Sequence, residues 1–432
     1  MPPNPNPTEV RMPHEPTATD DRPLLILVAS SYWVLREYIL KSVSARYRLW
    51  LLNPTPPTWE DPYIVGHTVV DCLDLDKLTA AAREVAREHE VAGVFCYDEV
   101  YIEISAQLTA ALGLPVLDPD EVARCRDKAA TRKALREAGL PQPASTAVSS
   151  LEEARAFADR VGYPVILKPR NLGGSLGVRK VERPEDLADA FAVTDGVRMG
   201  GIRQFEDYVI VEEFLDGPEI SVECVLRDGE CTPLIVARKV LGEGPRMAFE
   251  EVGHDVDAND PLLTDPVMVE TLQRAHEAAG FTNGYTHIEF KLTPDAMHVI
   301  EINARLGGGM IPYLGLLTSG VDASLAAADV VAGRAPTIEF PGPLRAASIR
   351  FAYPPYDMEI TSATARTDLV RPPVHEVRLG TQPGARVRLP PYGLARCGFV
   401  IAVGDTLEET RAAVADPDRF FEFAGTPLDE AP

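Results

Sequence analysis

The stretch His287–Gly309, HIEFKLTPDAMHVIEINARLGGG, restricts the fold more than any other part of the chain. Ile288 and Phe290 flank Glu289 on one arm, and Ile300 and Ile302 flank Glu301 on the other. A period of two belongs to a strand, and Pro294 marks a turn between the arms. The two arms are therefore expected to pair as an antiparallel hairpin. One face enters a core; the other carries Glu289, Glu301 and, two residues on, Asn303. Two carboxylates and an amide oxygen are the hard donors that magnesium takes when it bridges nucleotide phosphates. Arg305 is two residues further and can neutralise a transferring phosphoryl group. A solvent-facing hairpin could carry the same glutamates without any chemistry, but the apolar flanks argue for burial.

Two more stretches carry chemistry-bearing residues. In VILKPRNLGGSLGV (165–178) a strand closes on Lys168 and is followed by Gly173, Gly174, Ser175 and Gly177. Glycines let bare backbone N–H groups turn tightly against phosphate oxygens, and Lys168 can reach them as a point charge. The lysine precedes the glycines, so this is not the Walker pattern, and taken alone it is also what an ordinary turn looks like. In VIVEEFLDGPEISVE an apolar strand bears Glu212 and Glu213, and Glu219 follows a Gly-Pro turn. That segment offers a backbone edge for a base and a carboxylate for ribose hydroxyls, but alone it is only strand, turn and strand.

Around these motifs the chain alternates strands and helices. Residues 1–22 are polar and Pro-rich and read as a disordered tail. LLILVAS, RLWLLNP, TVVDCLD and VAGVFCYD read as strands of an open parallel sheet, separated by helices near 33–46 and in DKLTAAAREVAREHE. ISAQLTAALGLP reads as a helix stopped by Gly113 and Pro115. This N-terminal α/β domain spans 23–125. A linker helix at Arg126–Pro141 and a small α+β unit fill 126–215. A strand-rich central domain with the glutamate hairpin covers 216–340. Residues 341–432 hold short strands and many prolines and read as a separate β-rich cap. There is no internal repeat.

Composition limits the partners. With 42 basic and 65 acidic residues among 432, the net charge is −23. This argues against a nucleic-acid partner, which needs a basic face. The six cysteines form no CxxC and no zinc spacing. Reduced core cysteines, no secretory signal and no span-length apolar run point to a cytoplasmic protein without membrane attachment.

In this order and spacing the three motifs resemble the ATP-grasp superfamily over roughly residues 23–335. The resemblance implies an α/β and α+β architecture: an N-terminal parallel-sheet domain, a small lid subdomain, a central antiparallel-sheet domain and the β-rich cap. It implies ATP and magnesium (or manganese) as cofactors. It places Lys128 and Lys168 on the phosphates, with Gly174 and Ser175 in the lid loop over them. Glu212, Glu213 and the backbone to Leu215 would face the adenine, and Glu219 the ribose. Glu289, Glu301 and Asn303 become the magnesium ligands, and Arg305 steadies an acyl phosphate. Within the superfamily, NARLGGGMIPYL is similar to the L-amino-acid ligases. That subgroup resemblance implies substrate contacts from Glu99, His254, Arg305, Gly307 and Gly309, with Gly308 and its neighbours holding an oxyanion. His254 also reads as an ordinary exposed loop histidine. The three glycines imply a roomy amino-acid pocket, or one filled by Met310 or Tyr313 instead. The activity implied is ATP-dependent amide formation between two small-molecule substrates, a carboxylate and an amine, expected to be amino acids or amino-acid-like molecules in a peptide natural-product pathway; Glu99 or His254 would bind or deprotonate the ammonium. A homodimer is the assembly such folds commonly adopt. The rivals are another ATP-grasp ligase of the purine-pathway or carboxylase type, or a non-catalytic nucleotide-binding protein.

Overall fold

The run LLILV forms β1 (Leu24–Val28), and all five of its side chains are buried. A parallel strand is covered by helices on both faces, which is why it is apolar throughout instead of alternating. In the computed structural model, which describes residues 20–114, 116–198, 203, 205–244, 247, 249–390, 392–393 and 395–429, β1 sits inside a four-stranded parallel sheet of order β3-β2-β1-β4. Its other elements are α1 (Trp33–Ser44), β2 (Arg48–Asn53), β3 (Gly66–Val69), α2 (Leu75–Glu88), β4 (Val91–Phe95), α3 (Ile102–Ala111) and α4 (Pro119–Arg126). Most of the expected tail and the Pro115 helix stop lie outside the described residues.

The single helix expected over Arg126–Pro141 is two. α4 ends at Arg126, and α5 (Lys128–Glu137) starts afresh after Asp127, whose extended backbone (φ −92°, ψ 98°) lets its carboxylate accept from the Ala129 and Ala130 N–H groups. An aspartate at such an N-cap satisfies donors that a continuous helix would have satisfied internally. The break puts Lys128 on the first turn of α5. The lid unit follows: β5 (Ser145–Val148), α6 (Leu151–Val161), β6 (Val165–Pro169), β7 (Arg179–Val181), α7 (Leu187–Gly196) and β8 (Val209–Glu213). It is an antiparallel sheet of order β5-β8-β6-β7 with its own small core around Phe157, Leu167 and Val211.

The central unit comprises β9 (Glu219–Arg227), β10 (Glu230–Leu241), β11 (Glu251–Asp257), α8 (Pro266–Ala279), β12 (Gly284–Leu292), β13 (Met297–Asn303), α9 (Ile311–Ser319) and α10 (Ala323–Val331). The rest of the chain adds β14 (Ala346–Ala352), β15 (Met358–Ala365), β16 (Val374–Leu379), β17 (Arg386–Val387), β18 (Gly398–Gly404), α11 (Leu407–Ala413) and β19 (Phe421–Pro427). The strands of residues 341–432 divide between two sheets. β14, β18 and β16 continue the central antiparallel sheet, whose order is β13-β12-β9-β10-β11-β14-β18-β16. Only β17-β15-β19 form a sheet apart. The reason is β11, a strand the sequence concealed because EVGHDVD has no apolar alternation. Paired with β10 on one edge, it offers its other edge to β14, and an open edge is a row of unpaired backbone groups. α9 was also concealed, by the glycines before it and by Pro312, which a first helical turn tolerates.

One core runs through the N-terminal and central units, joining Leu24–Val28 to Ile220, Ile288, Ile302, Leu314 and Val330. α10 packs against both α1 and β4. The approach is close enough that a Cβ on Gly93 would lie 2.1 Å from the Val331 carbonyl oxygen. Among the described residues no single helix is long and apolar enough to cross a membrane.

Candidate active site

The glutamate hairpin forms in the register its alternation dictates: Glu289 pairs Glu301 directly, and His287 pairs Asn303. Ile288, Phe290 and Ile302 are fully buried beneath it. Burying each stabilises by roughly 1.5–3 kcal/mol, and a one-residue slip would drive the glutamates into the core instead. The opposite face opens on a cleft of about 1030 Å³ between the lid and central sheets. Lys128, Lys168, Gly174, Ser175, Glu212, Glu213, Leu215, Glu219, Glu289, Glu301, Asn303 and Arg305 all line it. Thus most of the residues singled out in sequence, which span almost two hundred positions, meet at one place.

Each charged group there has a partner. Lys128 Nζ donates to the Leu172 carbonyl at 2.7 Å and lies 2.9 Å from Glu301 Oε1. Lys168 Nζ lies 2.7 Å from Glu212 Oε2, and Arg132 Nε donates to Glu212 Oε1 at 2.7 Å. Burial alone would raise the Glu212 carboxyl, but Arg132 and Lys168 outweigh it and hold it at about 2. Burial also pulls the Lys168 ammonium below its ordinary value, against the opposing attraction of Glu212. Glu212 therefore fixes Lys168 at the cleft wall, and its own oxygens are committed. Glu213 sends its side chain to the Ala144 N–H at 2.9 Å, leaving its backbone at the cleft. Gly174 (φ 64°) and Ser175 (φ 55°) hold the lid loop in left-handed conformations, which turn consecutive N–H groups.

Several residues at the site escaped the sequence reading. Lys239, on β10 and 1% exposed by side chain, lies 2.7 Å from Glu219, 2.9 Å from Glu251 and 2.9 Å from Glu289. Burial would lower its ammonium, yet the three carboxylates raise it well above the ordinary value. His287 Nδ1 is 2.5 Å from Glu223 Oε1, and His287 Nε2 is 3.1 Å from Glu289 Oε1. Burial opposes its protonation, but Glu223 and Glu289 together lift it to about 9, so it is a cation at neutral pH. Glu251 and Lys291 also line the cleft. The available signal was a charged residue inside a largely apolar strand (VARKVL, ISVECV, YTHIEF), and for Glu223 and His287 also an even spacing from Glu219 and Glu289 on the same strand.

Three expectations need correcting. Glu99 is not poised as a base: its carboxylate bridges Arg126 and Arg305. Burial would raise it, but the two guanidiniums hold it at about 2. The same contact fixes the direction of the Arg305 side chain. His254 is not an exposed loop residue. It stands on β11 at 0% exposure, edge-on to Phe351 with ring centroids 5.9 Å apart. Among the described residues neither ring nitrogen has a hydrogen-bond partner. Burial pushes it down to about 3, so it is neutral, and it lies behind Gly309 rather than on the cleft wall. Nor do the glycines leave a roomy pocket. A Cβ on Gly307 would lie 2.3 Å from Glu223 Oε1; one on Gly309, where φ is +56°, would lie 2.2 Å from His254 Nε2. Only Gly308 has open space at its Cβ position. Two of the three are glycine because other side chains have taken the room.

Among the described residues no group of His, Cys, Asp and Glu side chains forms a ready-made metal cage. The donor set nevertheless fits magnesium. It consists of two paired carboxylates and an amide oxygen, and the cleft wall carries six glutamates against three lysines and an arginine. Magnesium commonly takes one or two protein carboxylates and completes its shell with water and substrate phosphates.

Residues 161–312 match the ATP-grasp domain family, and residues 359–417 match the L-amino acid ligase C-terminal domain 2 family. An uncharacterised protein, y4rH, of Sinorhizobium fredii is 29% identical over 325 residues, covering 72% of this chain and 64% of that protein. The alanine–anticapsin ligase of Bacillus subtilis strain 168 is 31% identical over 235 residues, covering 50% of this chain and 49% of that protein. The chain thus spans between about half and two thirds of the length of these curated relatives. The crystal structure of an L-amino acid ligase from Bacillus licheniformis superposes with a TM-score of 0.78 at 22% identity, covering 94% of this chain and 99% of that one. A phosphoribosylglycinamide synthetase from Anaerococcus prevotii follows the same fold with a TM-score of 0.70 at 15% identity.

Proposed function

We propose that this chain, which carries an ATP-grasp domain and resembles the L-amino-acid ligases, is an ATP-dependent ligase that joins the carboxylate of one amino-acid-like substrate to the amine of another. The observation that carries the reading is the convergence of Glu289, Glu301 and Asn303 with Lys128, Lys168 and Arg305 on a single cleft under the Gly-rich loop. A cleft of that composition suits phosphoryl transfer, where little covalent chemistry falls to the protein and positioning and charge stabilisation supply the rate.

A substrate carboxylate oxygen attacks the γ-phosphorus of ATP. The bond to ADP breaks and an acyl phosphate forms. Lys128 and Lys168 bind the phosphate oxygens, and Arg305, oriented by Glu99, meets the charge on the transferred group. Magnesium, held by Glu289, Glu301 and Asn303, would supply further neutralisation of the phosphates. The amine, once deprotonated, attacks the acyl carbon; the C–N bond forms and phosphate leaves. The Gly307 N–H is taken by Glu223, so the Gly308 N–H is the loop donor we assign to the developing oxyanion. Glu251, at the cleft wall beside His254, offers the ammonium a carboxylate to bind; burial would raise it but Lys239 holds it at about 2, so like Glu99 it is no base. Glu219 takes the ribose hydroxyls, and the backbone from Glu213 to Leu215 the adenine. Closure of the loop around Gly174 and Ser175 keeps water from the acyl phosphate.

The test is phosphate release from ATP and magnesium with the twenty amino acids supplied singly and in pairs, products being read by mass spectrometry. ADP and phosphate formed only with certain pairs, beside a mass equal to both minus water, support the reading. AMP and pyrophosphate, or turnover requiring only bicarbonate, refute it.

A further inference from the structure

Glu223 is a carboxylate at 0% exposure in the middle of β9, between the fully buried Val222 and Cys224. Nothing in phosphate or nucleotide binding calls for a charge there, and burying one without good reason is unfavourable. Its surroundings supply the reason. Oε2 accepts from the Gly307 N–H at 3.0 Å, and Oε1 lies 2.5 Å from His287 Nδ1. The other nitrogen of His287 reaches Glu289 Oε1 at 3.1 Å. On the far side of the glycine, Arg36 Nη1 donates to the Gly307 carbonyl at 3.3 Å. A continuous path of hydrogen bonds therefore runs from Glu289 on the metal-binding face, through His287 and Glu223, to the backbone of the loop Gly307–Gly309. The path also explains the glycine, since a Cβ at 307 would meet Glu223 Oε1 at 2.3 Å and His287 Nδ1 at 2.9 Å.

We propose that Glu223 and His287 are a pair of positioning residues that lock the metal-side carboxylate Glu289 to the Gly307 backbone, so that the centre transferring phosphate and the loop cradling the acyl group keep one fixed register. This rests on the ligase reading above. Neither residue touches substrate; both act through others. Partners of this kind that orient metal-binding carboxylates set metal affinity by 10–100-fold when removed. Here the same partner also holds the loop used in the second half-reaction. A perturbation at either end must therefore be felt at the other.

The experiment uses the full chain and three variants, E223Q, H287N and G307A. For each, the magnesium concentration giving half-maximal phosphate release and the ratio of amide formed to ATP consumed are measured. E223Q and H287N are expected to raise half-saturating magnesium by about 10–100-fold and to lower the amide-to-ATP ratio, as acyl phosphate is lost to water. G307A, although it alters only the acyl-side loop, is expected to raise half-saturating magnesium as well, by pressing on Glu223. The double variant E223Q/H287N should be no worse than the poorer single, because the two act as a unit. A G307A enzyme with wild-type magnesium dependence overturns the coupling, as do E223Q and H287N enzymes with wild-type values of both readouts. If E223Q does not fold, G307A and H287N carry the test. Absence of any amide from the wild-type enzyme refutes the ligase reading instead. In that case Mn²⁺ binding with ATP, followed by electron paramagnetic resonance, still decides whether G307A changes metal affinity.

Discussion

Replacing Lys239 with methionine would leave three carboxylates without their shared cation. The ammonium sits 2.7 to 2.9 Å from carboxylates on three different elements, β9, β11 and β12, and its side chain is 1% exposed. Methionine keeps most of the volume and removes the charge, leaving Glu219, Glu251 and Glu289 facing one another. Glu219 has a second cation, Lys291 at 3.3 Å, and Glu289 has His287, so part of the cluster remains compensated. Stranding a buried ionic partner costs about 3–5 kcal/mol, and for a chain of 432 residues that corresponds to a loss of roughly 3–6 °C in melting temperature. Two further signs follow. Glu289 is held well below its ordinary value, Lys239 outweighing the upward push of burial, so in the variant its carboxyl rises and takes up a proton more readily. The deficit against wild type is then larger at pH 8 than at pH 5. Three carboxylates without their lysine are also a better ligand for a dication, so millimolar magnesium should recover more stability in the variant than in wild type. The assay is thermal unfolding of both proteins at the two pH values, with magnesium or with EDTA; Lys239→Arg serves as the control that retains the charge. A variant melting within about 2 °C of wild type in EDTA, on the same scale, would refute the reasoning, and so would magnesium stabilising both equally.

Three other outcomes are expected. Arg305→Ala should lower kcat by about 100- to 1000-fold, the cost of losing a transition-state charge partner, with ATP binding measured by calorimetry little changed. Gly309→Ala should destabilise by more than about 1 kcal/mol, from a side chain at positive φ and from its clash with His254 Nε2. His254→Ala should relieve part of that cost, and Gly308→Ala, with open space at its Cβ, should unfold like wild type in denaturant. Glu212, depressed from 4.5 to about 2, contributes stability that is present above pH 4.5 and lost as pH falls towards 2. The contribution is about 3 kcal/mol at neutral pH, and a Glu212→Gln variant titrated over that window should show a flatter acid limb.

The parts of the site legible in sequence were those encoded by local pattern. The hairpin announced itself because Ile288, Phe290 and Ile302 must face a core, and this places Glu289, Glu301 and Asn303 together whatever the rest of the chain does; Ile300, expected in the core as well, sits at a bulge and lines the cleft instead. The glycines after Lys168 were legible for the same local reason. β11 was missed because its burial comes from neighbours on both edges and not from its own residue pattern. The break at Asp127 was missed because an amphipathic period continues across it.

By itself, then, the sequence determined the parallel strands, the lid loop and the face of the hairpin, since each follows from a period or a backbone preference spanning a few residues. Which charge meets which was decided only in three dimensions. Lys239 finds carboxylates from three elements, Glu99 is taken by Arg126 and Arg305, and Glu223 reaches Gly307 across 84 positions of chain. The same holds for Gly307 and Gly309, whose missing side chains answer to Glu223 and His254, and for the strands after residue 341, which complete a sheet begun at Glu219. Pairings between distant segments depend on which edges and faces the packed core brings together, and no local pattern carries that information.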